Sequence, residues 1–217
     1  MQVDYVFPHP IAKLDVSDEV NNDSIVKSVY ELSRTIDENS ASEYWDCKLI
    51  TSFNNDEVNL QFAKSNKEFI ETVEKHVNKY MAIVGWYQPH SPNKITQMWF
   101  NRYIEGHHFQ EAHNHGLHEV CAIYYATNDL TPTLFLNPNH HTFHNQYNPY
   151  DINTEVTSRT YKVYAQKGTL VIFPGYMLHT VPYIRKKVSE FNIQKDRMTI
   201  AMNFGKYDEP LLTKINE

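Results

Sequence analysis

Gly106–Ala126 reads GHHFQEAHNHGLHEVCAIYYA. The triplet His113-Asn114-His115 runs into the β-prone segment Val120–Tyr125. On an extended chain residues i and i+2 point to the same side, so His113 and His115 are expected to face one point. Two neutral imidazoles aimed at one point make half of a transition-metal site. The other half is expected downstream, in TLVIFPGYMLHTVPY, where a buried strand and a Pro-Gly turn lead to His179. His179 follows His115 by 64 residues (179 − 115), room for several strands and a long insert. That separation suits ligands on opposite walls of a barrel mouth.

Beyond His179 comes DRMTIAMNFG. Its alternation puts Arg197, Thr199, Ala201 and Asn203 on one strand face and Met198, Ile200, Met202 and Phe204 on the other. The second face is apolar enough to be packed. Arg197 is then expected to look into the barrel, where an unpaired guanidinium is costly. A dicarboxylate ligand would satisfy it in a bidentate pair, with Thr199 adding a hydroxyl.

The rest of the chain frames this site. From Thr96 the pattern has period two, and strands are expected near 96–103, 119–126, 133–136, 160–165, 169–173, 180–184 and 197–204. Short strands with turn signals and no interleaved helices point to an antiparallel double-sheet roll. The fold class expected is mostly β with N-terminal helices, a double-stranded β-helix of the jelly-roll, cupin-like kind. Residues 1–95 form the helical support and 96–210 the core of a single domain.

In the N-terminal part, Val3–Val6 is read as a short strand. Asn21-Asn22-Asp23 caps a helix over about 23–38, with Ile25, Val29, Leu32 and Ile36 at helical spacing. Cys47–Phe53 is read as one strand. Ser65 and Glu68 fit a capping box opening a helix over about 66–83, carried by Phe69, Val73, Val77 and Met81. The polar insert Asn137–Ser158 has the length of a lid or binding loop.

Composition excludes several classes. The 217 residues carry a formal charge of −6, so nothing electrostatic points to nucleic acid or an anionic membrane. The first residues lack the basic and apolar regions of a signal peptide, and no stretch is long enough to span a bilayer. Two cysteines, Cys47 and Cys121, without a CxxC, suit a reducing cytoplasm (a host's, for a viral protein).

Three histidines can bind iron(II), zinc, nickel or copper. The chain resembles the 2-oxoglutarate/Fe(II) oxygenase family found in bacteria and marine phages, related to prolyl 4-hydroxylases. The resemblance lies in the opening FPHPI, in Trp99 and Gly106, and in HNH. It continues in CAIYY, LFLNP, GTLVIFPGYMLHTVP and RMTIAMNFG. It implies a double-stranded β-helix with iron(II) held by His113, His115 and His179. It also implies 2-oxoglutarate gripped by Arg197, O2 as the other cosubstrate, and hydroxylation of a substrate such as peptidyl proline. Tyr103, Tyr124 and Asn203 are further candidate pocket residues.

The sequence departs from the common HxD/E…H ligand set, because the middle ligand is His115. Glu111 and Glu119 are nearby carboxylates that could take its place. HNHGLHE also has cupin spacing, HxHxxxE, which leaves open a metal enzyme that does not use 2-oxoglutarate. A catalytically inactive roll serving as a binding module is the third reading.

Overall fold

The computed structural model describes residues 9–37, 47–86, 92–104, 108–116, 118–139, 159–182 and 196–205, with Leu211 and Thr213. Val3–Val6, most of the insert (140–158) and the end of the strand expected at 180–184 lie outside the described residues.

Eleven strands lie among the described residues. They are β1 (Ala12–Asp15), β2 (Cys47–Lys48), β3 (Ile50–Thr51), β4 (Lys94–Tyr103), β5 (Phe109–His113), β6 (Val120–Tyr125), β7 (Asp129–Leu136), β8 (Thr160–Ala165), β9 (Thr169–Pro174), β10 (His179–Val181) and β11 (Arg197–Gly205). They form two antiparallel sheets, β1-β9-β6-β11-β4-β3 and β2-β5-β10-β7-β8. This is the expected double-stranded β-helix.

The helices α1 (Asn22–Leu32), α2 (Asp56–Ser65) and α3 (Lys67–Ile83) cover the outer face of the six-stranded sheet. The alternation in β11 sets this layering. Met198, Ile200, Met202 and Phe204 pack with Phe69, Ile70, Val73, Val77 and Met81 of α3. In β6, Ala122 and Tyr124 join that core, while Cys121, Ile123 and Tyr125 pack between the sheets with Phe135, Val163, Val171 and Phe173. Two polar links tie the layers. The buried Glu74 carboxylate accepts from the Lys94 ammonium (2.7 Å) and the Ile95 amide (3.1 Å). Arg102 donates to Asp196 (2.6 and 2.8 Å) and to Ser33 at the end of α1 (2.9 Å).

Several expectations need correction. Ser65 does not cap α3: its hydroxyl donates to the Gln61 carbonyl (3.1 Å), as the last residue of α2. Helix α2 is capped by Asn55, which accepts from the Val58 amide (3.2 Å). Asn66 separates α2 from α3, with its amide donating to the Phe62 carbonyl (2.9 Å) and the Ser28 hydroxyl (3.1 Å). The α1 cap holds, Asn21 accepting from the Ser24 amide (3.1 Å), but the α-helix ends at Leu32 and gives way to a 3-10 turn over Ser33–Thr35.

Cys47–Phe53 is not one strand. β2 pairs with β5 in one sheet and β3 with β4 in the other, so the chain crosses between sheets at the buried Leu49. Strands β1 and β5 were not anticipated. Among the described residues no helix is long and apolar enough to cross a membrane.

Candidate metal and cosubstrate site

His113 is the last residue of β5 and pairs with His179, the first of β10. The same ladder pairs Gln110 with Val181, so three steps on β5 match two on β10. An extra residue of this kind is a β-bulge, which re-aims side chains. It lets Gln110 and His113 line the same cavity although their spacing is odd.

His115 does not share a strand with His113, contrary to the simple i, i+2 argument. Asn114–Gly116 is a tight turn in which the Asn114 side chain accepts from the Gly116 amide (3.0 Å), with Gly116 at φ +59°. The turn is stapled to the Pro174-Gly175 corner. His115 N–H donates to the Gly175 carbonyl (2.9 Å) and Gly175 N–H to the Glu119 carbonyl (3.2 Å). That corner leads into His179, so one pair of backbone contacts fixes two histidines relative to each other.

The nitrogens of His113, His115 and His179 that could ligate a metal lie within 4.8 Å of one another. Each ring gives its Nδ1 proton to an oxygen. His113 donates to the Glu111 carbonyl (2.9 Å), His179 to the Met177 carbonyl (3.0 Å) and His115 to Asn203 Oδ1. A backbone carbonyl only accepts, so the proton sits on Nδ1 and the lone pair on Nε2. This is how outer contacts set the tautomer of metal-ligating histidines. Burial lowers the pKa of all three, that of His115 to about 4, and the rings' mutual proximity adds to the effect at His115 and His179. The set is therefore neutral at pH 7, the form that binds metal. Glu111 and Glu119 are exposed and stand outside this group, which removes the carboxylate ligand that the cupin reading needs.

The histidines stand at one end of a narrow cavity between the sheets. Its walls include Trp99, Asn101 and Tyr103 from β4 and Arg197, Thr199 and Ala201 from β11. Arg197 is 1% exposed. It donates to the Thr131 carbonyl (3.2 Å) and the Thr133 hydroxyl (2.8 Å), and Tyr103 and Tyr125 flank it at 5.2 and 5.4 Å. Its Nε–H is buried without a partner, and among the described residues no carboxylate pairs with it. A buried, permanently charged guanidinium calls for an anion. The donor sets fit the two groups expected: three neutral imidazoles for iron(II) and an orphaned guanidinium for a carboxylate of 2-oxoglutarate.

The other candidates divide. Tyr103 and Thr199 line the cavity. Tyr124 does not: it lies on the helix side, donates to Asn22 Oδ1 (2.7 Å) and packs on Phe69. Asn203 is not in the cavity wall either; it supports His115, with its own amide donating to Gln97 Oε1 (2.8 Å) and the Cys121 thiol donating to its Oδ1 (3.3 Å). Sequence reasoning missed Tyr125, Thr133, Gln110 and Asn101. β6 is apolar on both faces, so nothing in its pattern told Tyr125 from Tyr124.

Residues 97–203 match the model of a family described as "Putative 2OG-Fe(II) oxygenase". The span holds all three histidines and Arg197, and the cofactors that this match and the donor sets support are iron(II) and 2-oxoglutarate.

Solved structures share the fold. A Pseudomonas putida prolyl-4-hydroxylase is 11% identical over 90% of this chain and 92% of its own, with a TM-score of 0.54. A Trichoplax adhaerens prolyl hydroxylase in complex with a hypoxia inducible factor peptide fragment is 10% identical over 90% and 83%, with a TM-score of 0.53. HygX from Streptomyces hygroscopicus, with nickel, 2-oxoglutarate and hygromycin B bound, is 10% identical over 93% and 85%, with a TM-score of 0.51. No curated protein matches the sequence.

Proposed function

We propose that this protein is a dioxygenase that hydroxylates an organic substrate while 2-oxoglutarate is decarboxylated to succinate. One observation carries the reading: a cavity with three converging imidazoles at one end holds a buried guanidinium that lacks an anion among the described residues. His113, His115 and His179 hold iron(II) through Nε2. Arg197, with Thr133 and Tyr125 around it, holds the distal carboxylate, and Thr199 lies on the wall between. Bound iron(II) and 2-oxoglutarate together supply the activation of O2.

The chain's part is to fix ligand geometry, grip the cosubstrate and exclude water with Ile123, Val181 and Ala201. Asn203 holds the His115 ring in its ligating tautomer. Peptidyl proline is the substrate class we favour, by likeness of fold to the two prolyl hydroxylases. Helices and roll act as one domain, since they share a core.

The test is O2-dependent formation of succinate from 2-oxoglutarate by the iron-loaded protein, with proline-containing peptides screened for a gain of one oxygen by mass spectrometry. Succinate formation that needs iron and O2 supports the reading. Its absence under all peptide and small-molecule conditions favours the inactive roll.

A further inference from the structure

Three buried polar atoms without protein partners among the described residues border this cavity: Arg197 Nε, Asn101 Oδ1 and Trp99 Nε1. The distal carboxylate accounts for the first. The indole of Trp99 is 5% exposed, and its N–H is a donor that cannot accept. Leaving such a donor unpaired in the interior costs free energy, so the cavity's ligand is expected to bring it an acceptor.

The place of Trp99 says which acceptor. Along β4 the cavity side runs Trp99, Asn101, Tyr103, paired across the ladder with Ala201, Thr199 and Arg197. Tyr103 thus marks the guanidinium end. Trp99 marks the histidine end, where its ring stacks on His115 (centroids 5.5 Å apart, planes at 26°). The edge contact with Phe53 (5.2 Å, 74°) holds the indole from another side. A five-carbon diacid spanning the cavity has a carboxylate at each end, and both offer only acceptors.

We propose that Trp99 Nε1–H donates a hydrogen bond to the carboxylate of 2-oxoglutarate next to its keto group. The cavity then reads both ends of the diacid, Arg197 the distal one and Trp99 the metal-side one. Trp99 is on this account a cosubstrate-binding residue that also packs against a ligand. The inference rests on 2-oxoglutarate being the cosubstrate.

The experiment uses the full ¹⁵N-labelled chain loaded with zinc(II), which is diamagnetic and does not turn over. The chain has three tryptophans, Trp45, Trp86 and Trp99. The Trp99 indole signal is assigned by its loss in Trp99→Phe, or by elimination with Trp45→Phe and Trp86→Phe. On saturation with 2-oxoglutarate it is expected to move downfield and exchange more slowly with water. In calorimetry, Trp99→Phe keeps the stacked ring and should weaken 2-oxoglutarate binding roughly 10- to 100-fold, as for loss of one hydrogen bond to a charged group. Zinc affinity should not change.

An indole signal that stays put at saturation, or equal 2-oxoglutarate affinity in Trp99→Phe, overturns the inference and leaves the proposed function standing. A parallel loss of zinc affinity overturns it too, by making Trp99 only a packing support for His115. No calorimetric binding of 2-oxoglutarate to the zinc-loaded wild type would overturn both.

Discussion

At the scale of single residues, the site depends on what each histidine gives away and what it keeps. His179 is 3% exposed and its ring is fixed by the Met177 carbonyl. On the proposed ligand set, His179→Ala removes one of three ligands and should abolish iron binding or weaken it at least 100-fold, roughly what loss of a directly bound group costs. Unchanged iron stoichiometry and affinity, by metal analysis after dialysis, would remove His179 from the site. His113→Ala should behave alike. His115→Asp should retain iron, since it restores a carboxylate between two histidines; an iron-free variant with intact folding would count against that equivalence.

Much of this was legible: HNH, the Pro-Gly corner and the RMTIAMNFG alternation name the three histidines and Arg197. Less legible were the contacts across sequence. Asn203 reaches back 88 residues to His115, and no local pattern reports that. The β6 faces, apolar on both sides, hid the exchange of Tyr124 for Tyr125.

At the scale of elements, the Pro174-Gly175 corner is the part with least tolerance. A Cβ on Gly175 would lie 1.9 Å from the His118 carbonyl oxygen, and backbone cannot step aside as a flexible side chain does. Gly175→Ala should therefore destabilise the protein by about 1–3 kcal/mol, the range for overpacked sites, and loosen iron binding by displacing the His115 turn. Chemical denaturation and iron titration of the variant check both. An unchanged denaturation midpoint with unchanged iron affinity would show that the staple is not rigid.

The elements also show where local signals mislead. Ser65-x-x-Glu68 has the sequence of a capping box, yet Ser65 lies inside a preceding helix because Asn55 starts that helix earlier and Asn66 interrupts it. β2 and β3 are too short for a period to show. The β5 bulge can be seen only against its partner strand.

At the scale of the molecule, one sheet is shared between two environments, helices on one face and the cavity on the other. The helix side carries stability. Ile70→Ala, at a fully buried position in α3, should cost about 2–5 kcal/mol while the folded variant still binds one iron. Loss of iron binding by a variant that remains folded would mean the layers are coupled more tightly than the packing indicates.

The cavity side carries a pH dependence. His115 has its pKa lowered to about 4, and those of His113 and His179 are lowered as well, whereas an unfolded histidine titrates near 6.5. Below 6.5 the unfolded chain takes up protons that the fold refuses. The metal-free protein should therefore lose stability as pH falls from about 6.5 toward 4 and be insensitive to these groups above. Thermal midpoints between pH 7.5 and 5 test this. His115→Gln should flatten the slope, and a wild-type midpoint that rises on acidification would contradict the burial argument.

The overall architecture was legible because period-two segments from Thr96 onward leave few alternatives to a double-sheet roll. The helix α2 and the strand β1 were not, since neither has a pattern that stands out before its partner is in place.

The central claim is that Arg197 and the three histidines form one 2-oxoglutarate–iron site. It is tested most directly by anaerobic titration of the iron(II)-loaded protein with 2-oxoglutarate, following the visible metal-to-ligand charge-transfer band, for the wild type, Arg197→Lys and Arg197→Ala. The account predicts a saturable band in the wild type. The Ala variant should need roughly 30- to 1000-fold more 2-oxoglutarate, equivalent to about 2–4 kcal/mol for a charge-assisted contact in a desolvated pocket. The Lys variant should fall between, with the charge kept and the fork lost, and iron affinity should be equal in all three. A wild type without the band, or three equal 2-oxoglutarate affinities, would contradict the account.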